Sequence, residues 1–286
     1  MAQPFTMRKA VHSRLDALPA FPRTVQRILQ AVDDPDSSMA TLAHMVAHDP
    51  AITARVLAVA NKAAAGAHRG SVDDVFTATS LVGMQAVREI ALLFSMSGFV
   101  QNLAGDWGRG ELWRHSIAVG VCAQELSIHA YEEVSVNHAF IAGLLHDIGR
   151  FWLLLHNEDA SVACWAKARN EGTDICRAEE SVFGVNHATL GAWLAQAWQL
   201  PPPIVSAIAG HHQPPAAADG HALVDVLHVA EVLSNALELG GNTHAHVTYL
   251  SDKACYRLGL AWDDTLQPLL GRIEARAQYM VAFLDH

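Results

Sequence analysis

Two adjacent polar residues, His146 and Asp147, stand inside an apolar segment, Asn137 to Arg150, whose Phe140, Ile141, Leu144, Leu145 and Ile148 recur at helical spacing. A buried carboxylate is costly unless a cation or a hydrogen-bond network holds it, and a metal ion shared with a neighbouring imidazole answers that cost. Donors of the same kind recur along the chain. Glu111 and His115 lie four residues apart and hence on one helix face, His187 stands at a helix start, His211-His212 at a helix end, and Glu231 on a later helix. Imidazoles and carboxylates without a thiolate suit Fe, Mn, Ni, Co or Zn, and eight such residues exceed the needs of one ion. One or two divalent transition-metal ions are expected, with Asp147 bridging two. Such a centre polarises a phosphoryl oxygen and makes hydroxide from bound water, the chemistry of phosphoester hydrolysis, and Asp147 would then be the catalytic residue. Arg150, one turn beyond His146, would lie beside the bound anion.

A lone imidazole on an apolar helix is more often a hydrogen-bonded core residue than a ligand, so the weight rests on the adjacent pairs. Glu231 is the weakest ligand on spacing grounds. His44 and His48, one turn apart with no third donor nearby, are set aside, as are His129, His138, His156, His221, His228, His244 and His246. No Gly-rich phosphate loop and no Gly-x-Ser-x-Gly elbow competes with this constellation.

The elements that must position these residues are all helical. Val25, Ile28, Leu29 and Val32 share one face, Asp33 to Ser38 supplies a break and a cap, and Asp49-Pro50 reads as N-cap and first helical position of the Ala-rich run to Ala65. Helices are expected at Asp73 to Leu81, Gln85 to Val100, Glu111 to Tyr131, the His-Asp segment, Phe151 to Asn170 (packing through Trp152, Leu153, Leu155, Val162 and Trp165), Ala188 to Gln199, from Ile204 to Gly210, Asp225 to Leu239, and around Leu258 and Leu269. Strand signals are scarce, and the fold class is all-α. Gln101 to Gly110, with three glycines, marks the expected boundary between an N-terminal helical lobe, 1–105, and a C-terminal metal-bearing lobe, 106–286.

Composition narrows the partners. Residues 1–105 carry nine Lys or Arg against eight Asp or Glu, while 106–286 carry ten against 21, an acidic balance that repels nucleic-acid phosphate. The longest apolar runs fall short of a membrane span and the N-terminus lacks a signal-peptide core, so a cytoplasmic protein with no membrane partner is expected. The four cysteines, Cys122, Cys164, Cys176 and Cys255, show no paired metal spacing and read as reduced core thiols.

The ligand order, His115, His146-Asp147, His187, His211-His212 and then an acid, resembles the HD superfamily of metal-dependent phosphohydrolases. Its HD-GYP cyclic di-GMP phosphodiesterases share the Glu-x-x-x-His start. Three departures stand out: Arg150 replaces a lysine, Gln213-Pro214-Pro215 replaces Gly-Tyr-Pro after the double histidine, and Glu231 stands where an aspartate is usual. A closer resemblance is to the HDOD domain, a regulatory relative. It rests on Leu18-Pro19-Ala20-Phe21-Pro22, His48-Asp49-Pro50, Leu57 to Asn61, Leu81-Val82-Gly83, Ala139 to Gly149, Phe183 to Ala188, Trp198 to Pro201 and Gly210 to Pro214. The resemblance implies two packed helical lobes and a stand-alone role in bacterial signalling, often linked to cyclic di-GMP. It also implies a protein partner, or a nucleotide or phosphate ligand, in most cases without turnover. A metal-dependent phosphodiesterase is the alternative that the retained ligands support.

Overall fold

Aspartate, asparagine, serine and proline punctuate the apolar runs, and the helices begin where they stand. The computed structural model describes residues 20–32, 37–66, 71–104, 110–214, 222–241 and 249–284, and among these every regular element is helical and none is a strand. The fold is all-α. Leu18-Pro19, residues 33–36, 67–70, 105–109 and 215–221, His221, His244 and His246 lie outside the described residues. Among the described helices none is long and apolar enough to cross a membrane.

Two compact units are present, Ala20–Phe99 and Val100 onward. The first is built from α1 (Arg23–Val32), α2 (Met39–Ala47), α3 (Pro50–Gly66), α4 (Val75–Val82) and most of α5 (Met84–Ala104). Ser38 caps α2 by accepting the Thr41 N–H at 3.2 Å, and Asp49 accepts the N–H groups of Ala51 and Ile52 at 3.0 and 3.2 Å, leaving Pro50 to open α3. Apolar residues three and four apart, such as Val25, Ile28 and Leu29 or Ile52, Val56 and Ala60, fill its interior. Asn61 exchanges two 2.8 Å hydrogen bonds with the Val72 backbone, tying the end of α3 to the start of the next segment. α5 runs on through Ala104, because Val100 and Leu103 are buried and extend its apolar face; the division falls between Phe99 and Val100, before the glycine-containing loop. His44 and His48 are exposed, the His48 Nδ1–H donating to the His44 carbonyl at 2.7 Å.

The second unit continues with α6 (Glu111–Ser127), α7 (Val136–Leu145), α8 (Ile148–His156), α9 (Glu158–Glu171), α10 (Ile175–Phe183), α11 (His187–Ala197), α12 (Pro202–Gly210), α13 (Ala222–Ala236), α14 (Asp252–Arg257) and α15 (Gln267–Leu284). Three features differ from the sequence expectation. The His-Asp segment is not one helix: it breaks at His146-Asp147, where Asp147 adopts φ −97° and ψ 12°, and α8 starts afresh. The run from Phe151 splits at Asn157, whose side chain caps α9 through the Ala160 N–H at 3.1 Å, and Leu155 and Val162 are exposed rather than packed. α10 went unforeseen.

α6 is the axis of this unit, buried almost continuously from Trp113 to Ser127 and covered by α7, α13 and α15. Its approach to α7 is set by two facing glycines. A Cβ on Gly143 would fall on the Gly120 backbone, so only hydrogen at that position lets the two helices cross this closely. Gly149, at the start of α8, does the same against the His187 carbonyl. The far end of α6 is tied to α15 by Glu125, which pairs with Arg272 and Arg276. Gly143→Ala is expected to lower the urea midpoint by the equivalent of about 1–3 kcal/mol, the usual cost of overpacking. Gly98→Ala, on an exposed helical face with nothing within 4 Å of the new carbon, serves as the neutral or mildly stabilising control.

Candidate metal centre

The break between α7 and α8 lets two neighbouring residues face the same interior. His146 donates from Nδ1 to the Gly143 carbonyl at 2.7 Å, and His211, just past α12, donates from Nδ1 to the Ile208 carbonyl at 2.8 Å. Each bond fixes the tautomer and leaves the Nε2 lone pair aimed inward. Both Nε2 atoms and both carboxylate oxygens of Asp147 are buried and make no hydrogen bond, although Arg150 forms an ion pair with Oδ2. One ligand atom from each of His146, Asp147 and His211 lies within 4.8 Å of the other two. His115, from the first turns of α6, and Glu231, from α13, complete a second group with His146: Glu231 Oε2 is 2.8 Å from His115 Nε2 and 3.1 Å from His146 Nε2. On the opposite side Asp147 Oδ1 is 3.3 Å from His187 Nε2, which is 2.9 Å from His212 Nε2.

The donor set fits divalent cations. Buried lone pairs facing one another repel unless a proton or a metal ion stands among them, and ligands ~2 Å from one ion lie ~3 Å apart when adjacent. The observed separations of 2.8 to 3.5 Å match that spacing on both sides of Asp147. His115, His146 and Glu231 would hold one ion, and His187 and His212 would stand at a second position on the other side of Asp147, with His211 grouped with His146 and Asp147.

Electrostatics point the same way. Burial disfavours charge on His146, yet the Asp147 and Glu231 carboxylates outweigh it and raise its pKa to about 9. Burial would lift the Asp147 carboxyl, but Arg150, His146 and His187 hold it well below the carboxylate range. Glu231 is likewise held down, by His115 and His146 against burial. His211, deep in the interior and beside His146 and His187, falls to about 3, and His212 is lowered by the same burial and its imidazole neighbours. The carboxylates stay ionised and His211 and His212 stay neutral, as a metal requires, while His146 holds a proton that an entering cation would have to displace.

The other expected site residues are placed less uniformly. Arg150, half-buried, pairs with Asp147 at 3.2 Å and lies over the Trp165 ring at 5.9 Å. Glu111 is exposed on the first turn of α6 and belongs to none of the ligand groups found among the described residues. Its spacing from His115 puts it on the same face but one turn nearer the helix end, where α6 leaves the core. His228, set aside from its sequence, is buried: its Nδ1–H donates to the His211 carbonyl at 2.7 Å and its Nε2 accepts the Ser251 N–H at 3.0 Å, anchoring the backbone of a ligand.

Glu179 was missed altogether. Fully buried on α10, it accepts the His187 backbone N–H at 2.8 Å and the Nδ1–H at 2.6 Å through Oε2, and the Trp165 Nε1–H at 3.1 Å through Oε1. A carboxylate behind a ligating imidazole orients the ring and strengthens its outward lone pair. A legible signal existed, since Cys176, Glu179 and Phe183 recur at helical spacing and put the acid on the apolar face. Glu179→Gln is expected to weaken metal binding on the His187 side about 10- to 100-fold, read by titration against a chromophoric chelator. An unchanged affinity would show that Glu179 only fills space.

The model of the HDOD domain matches residues 18–214, a span that includes His211 and His212 and stops short of Glu231. An uncharacterized protein of Treponema pallidum (strain Nichols) is 26% identical over 219 residues, 73% of this chain and 40% of that relative, so the chain spans less than half of that curated protein. The crystal structure of an HDOD domain protein with unknown function from Geobacter sulfurreducens superimposes with a TM-score of 0.75 at 25% identity, covering 96% of this chain and 97% of the other. A candidate signal transduction protein from Marinobacter aquaeolei VT8 gives a TM-score of 0.77 at 20% identity over 100% of this chain and 67% of its own, which speaks for the fold alone.

Proposed function

This chain belongs to the HDOD domain family, and from that premise we propose that it is a bacterial signalling protein whose HD-like unit holds divalent metal ions and binds a partner or ligand without turning it over. The observation that carries the metal is the convergence of unpartnered buried donors on His146, Asp147 and His211. The observation that favours holding over turnover is closure. Among the residues at the centre only His212 and Arg150 reach half-buried positions, and His115, His146, Asp147, His187, His211 and Glu231 are all buried. A hydrolase needs a coordination position open to substrate and water; here the ions serve chiefly to tie α6, α11, α13 and the α7–α8 turn together. Arg150, at the outer edge, is the cation that would meet the phosphate of a nucleotide or other anionic ligand.

A second reading, a metal-dependent phosphohydrolase, is favoured by one feature: the two oxygens of Asp147 face histidines on opposite sides, as a bridged two-ion centre requires. In that case the ions would supply Lewis acidity and a nucleophilic water, and Arg150 would orient the phosphoryl group. Both readings meet in one experiment. Protein purified without chelator is analysed for metal by emission and assayed, metal-loaded, against cyclic dinucleotides and a generic phosphodiester. The expected result is stoichiometric metal and no turnover. Robust metal-dependent turnover abolished by Asp147→Ala would establish the hydrolase instead, and failure to take up any metal would remove both.

A further inference from the structure

α10 brings to the centre, besides Glu179, a ligand type absent from the His and carboxylate set. Cys176 precedes Glu179 by three residues, so the two side chains share a helix face, and that face packs against the His187 side of the centre. Sγ of Cys176, a ring nitrogen of His187 and a ring nitrogen of His212 all lie within 4.8 Å of one another. The thiol is free and buried. Nearby stand the unpartnered Nε2 of His211 and Oδ1 of Asp147, both buried and both on atoms that have no hydrogen bond to give up.

We infer that Cys176 is a thiolate ligand of the cation held by His187 and His212, which makes that position a mixed sulfur–nitrogen site with the character of a zinc site. The inference rests on the metal-holding reading above and deepens it by separating the two positions chemically. The His115, His146, Glu231 side offers nitrogen and oxygen alone and accepts Mn, Fe, Co, Ni or Zn on those terms. A soft thiolate beside two imidazoles instead selects zinc, or cobalt as its spectroscopic substitute, over the harder manganese. On binding, the Cys176 S–H proton leaves to solvent and the Sγ–metal bond forms; no electron is transferred and no oxidant is required. The arrangement also gives α10 a reason to be where it is. One turn presents Cys176 to the ion and the next presents Glu179 to the ligand behind it, so a helix the His-Asp pattern does not need becomes part of the centre.

Cobalt(II) substitution tests this with a readout that needs no activity. Metal-stripped protein is titrated with cobalt and followed by absorption. Wild-type protein is expected to show visible d–d bands together with a near-ultraviolet thiolate-to-cobalt charge-transfer band that saturates at one equivalent of sulfur ligand. Cys176→Ser, nearly isosteric, is expected to lose the charge-transfer band while keeping the d–d bands of the other position, and to weaken zinc binding at one position at least about tenfold, since even partners behind a ligand cost that much. Cys255→Ser, on α14, is expected to keep the wild-type spectrum. Wild-type protein that binds cobalt with d–d bands and no charge-transfer band overturns the thiolate assignment and leaves metal binding standing, with no variant needed. A charge-transfer band that survives Cys176→Ser overturns it equally. Protein that binds no cobalt overturns this assignment and the metal-holding reading together.

Discussion

Asp147→Ala is expected to abolish metal-dependent stabilisation at both positions. In the wild-type protein, cation at a hundredfold excess over its Kd should stabilise by about 2.7 kcal/mol, which for a chain of this size raises Tm by roughly 5–10 °C. Asp147 is the residue through which the two sides communicate: Oδ2 is 3.5 Å from His146 Nε2 and Oδ1 is 3.3 Å from His187 Nε2. No other carboxylate among the described residues faces both. Removing it leaves Glu231 as the one carboxylate among the ligands, confined to the His115 and His146 side, and releases the Arg150 guanidinium from its ion pair, so a cation entering beside residue 147 would meet imidazoles and an unneutralised positive charge. The metal increment in Tm should therefore vanish, and metal analysis should find less than one ion in ten retained. His115→Ala is the informative partner variant. It removes a ligand from one side alone, so about half of the bound metal should persist. If Asp147→Ala instead keeps a full Tm increment on adding zinc, the carboxylate is not shared and the centre is organised differently.

The parts of this centre that were legible in the sequence are those whose polarity contradicts their surroundings. His146-Asp147 interrupts an apolar run, His211-His212 closes an apolar helix, and burial of a charged pair in such places demands a partner. Spacing alone does not say which turn of a helix points inward, which is why Glu111 seemed equal to His115 and is exposed. Nor does periodicity register a break that preserves the apolar pattern: Ile148 and Phe151 are buried on a new helix, although they continue the phase of the old one. α10 escaped because only three of its nine residues are buried, one of them the acid Glu179, while apolar Val182 is exposed, so no clean apolar stripe marks its inner face. That weak stripe carries both Glu179 and Cys176. His228 looked inert for a different reason. Both its ring nitrogens are engaged by the His211 carbonyl and the Ser251 N–H, contacts between segments that no local pattern encodes.

The second large effect is a reversal of pH dependence on metal binding. In the cation-free protein the folded pKa of His146, about 9 and hence above the unfolded value near 6.5, contributes stability that is complete below about pH 6.5 and is lost as pH rises through about 9. His211, folded near 3, and His212, also lowered, act oppositely: below about pH 6.5 the unfolded chain takes up protons that the buried rings refuse, so stability falls with acidification. Asp147 and Glu231, both depressed in the fold, add stability above the ordinary carboxylate range near pH 4 and withdraw it as pH drops further. Stripped protein should thus be most stable around pH 6.5 and weaken on both sides. A divalent cation takes over the charge that the His146 proton otherwise supplies, so the alkaline loss should disappear on loading. Because every ligating imidazole must be deprotonated and the folded His146 gives up its proton only near pH 9, the cation competes with that proton increasingly as pH falls, and the increment it gives should be largest at and above about pH 9 and small near pH 5. Thermal unfolding with zinc and with chelator across that range measures the increment directly. An increment independent of pH, or largest in acid, would show that the histidines do not hold the ion.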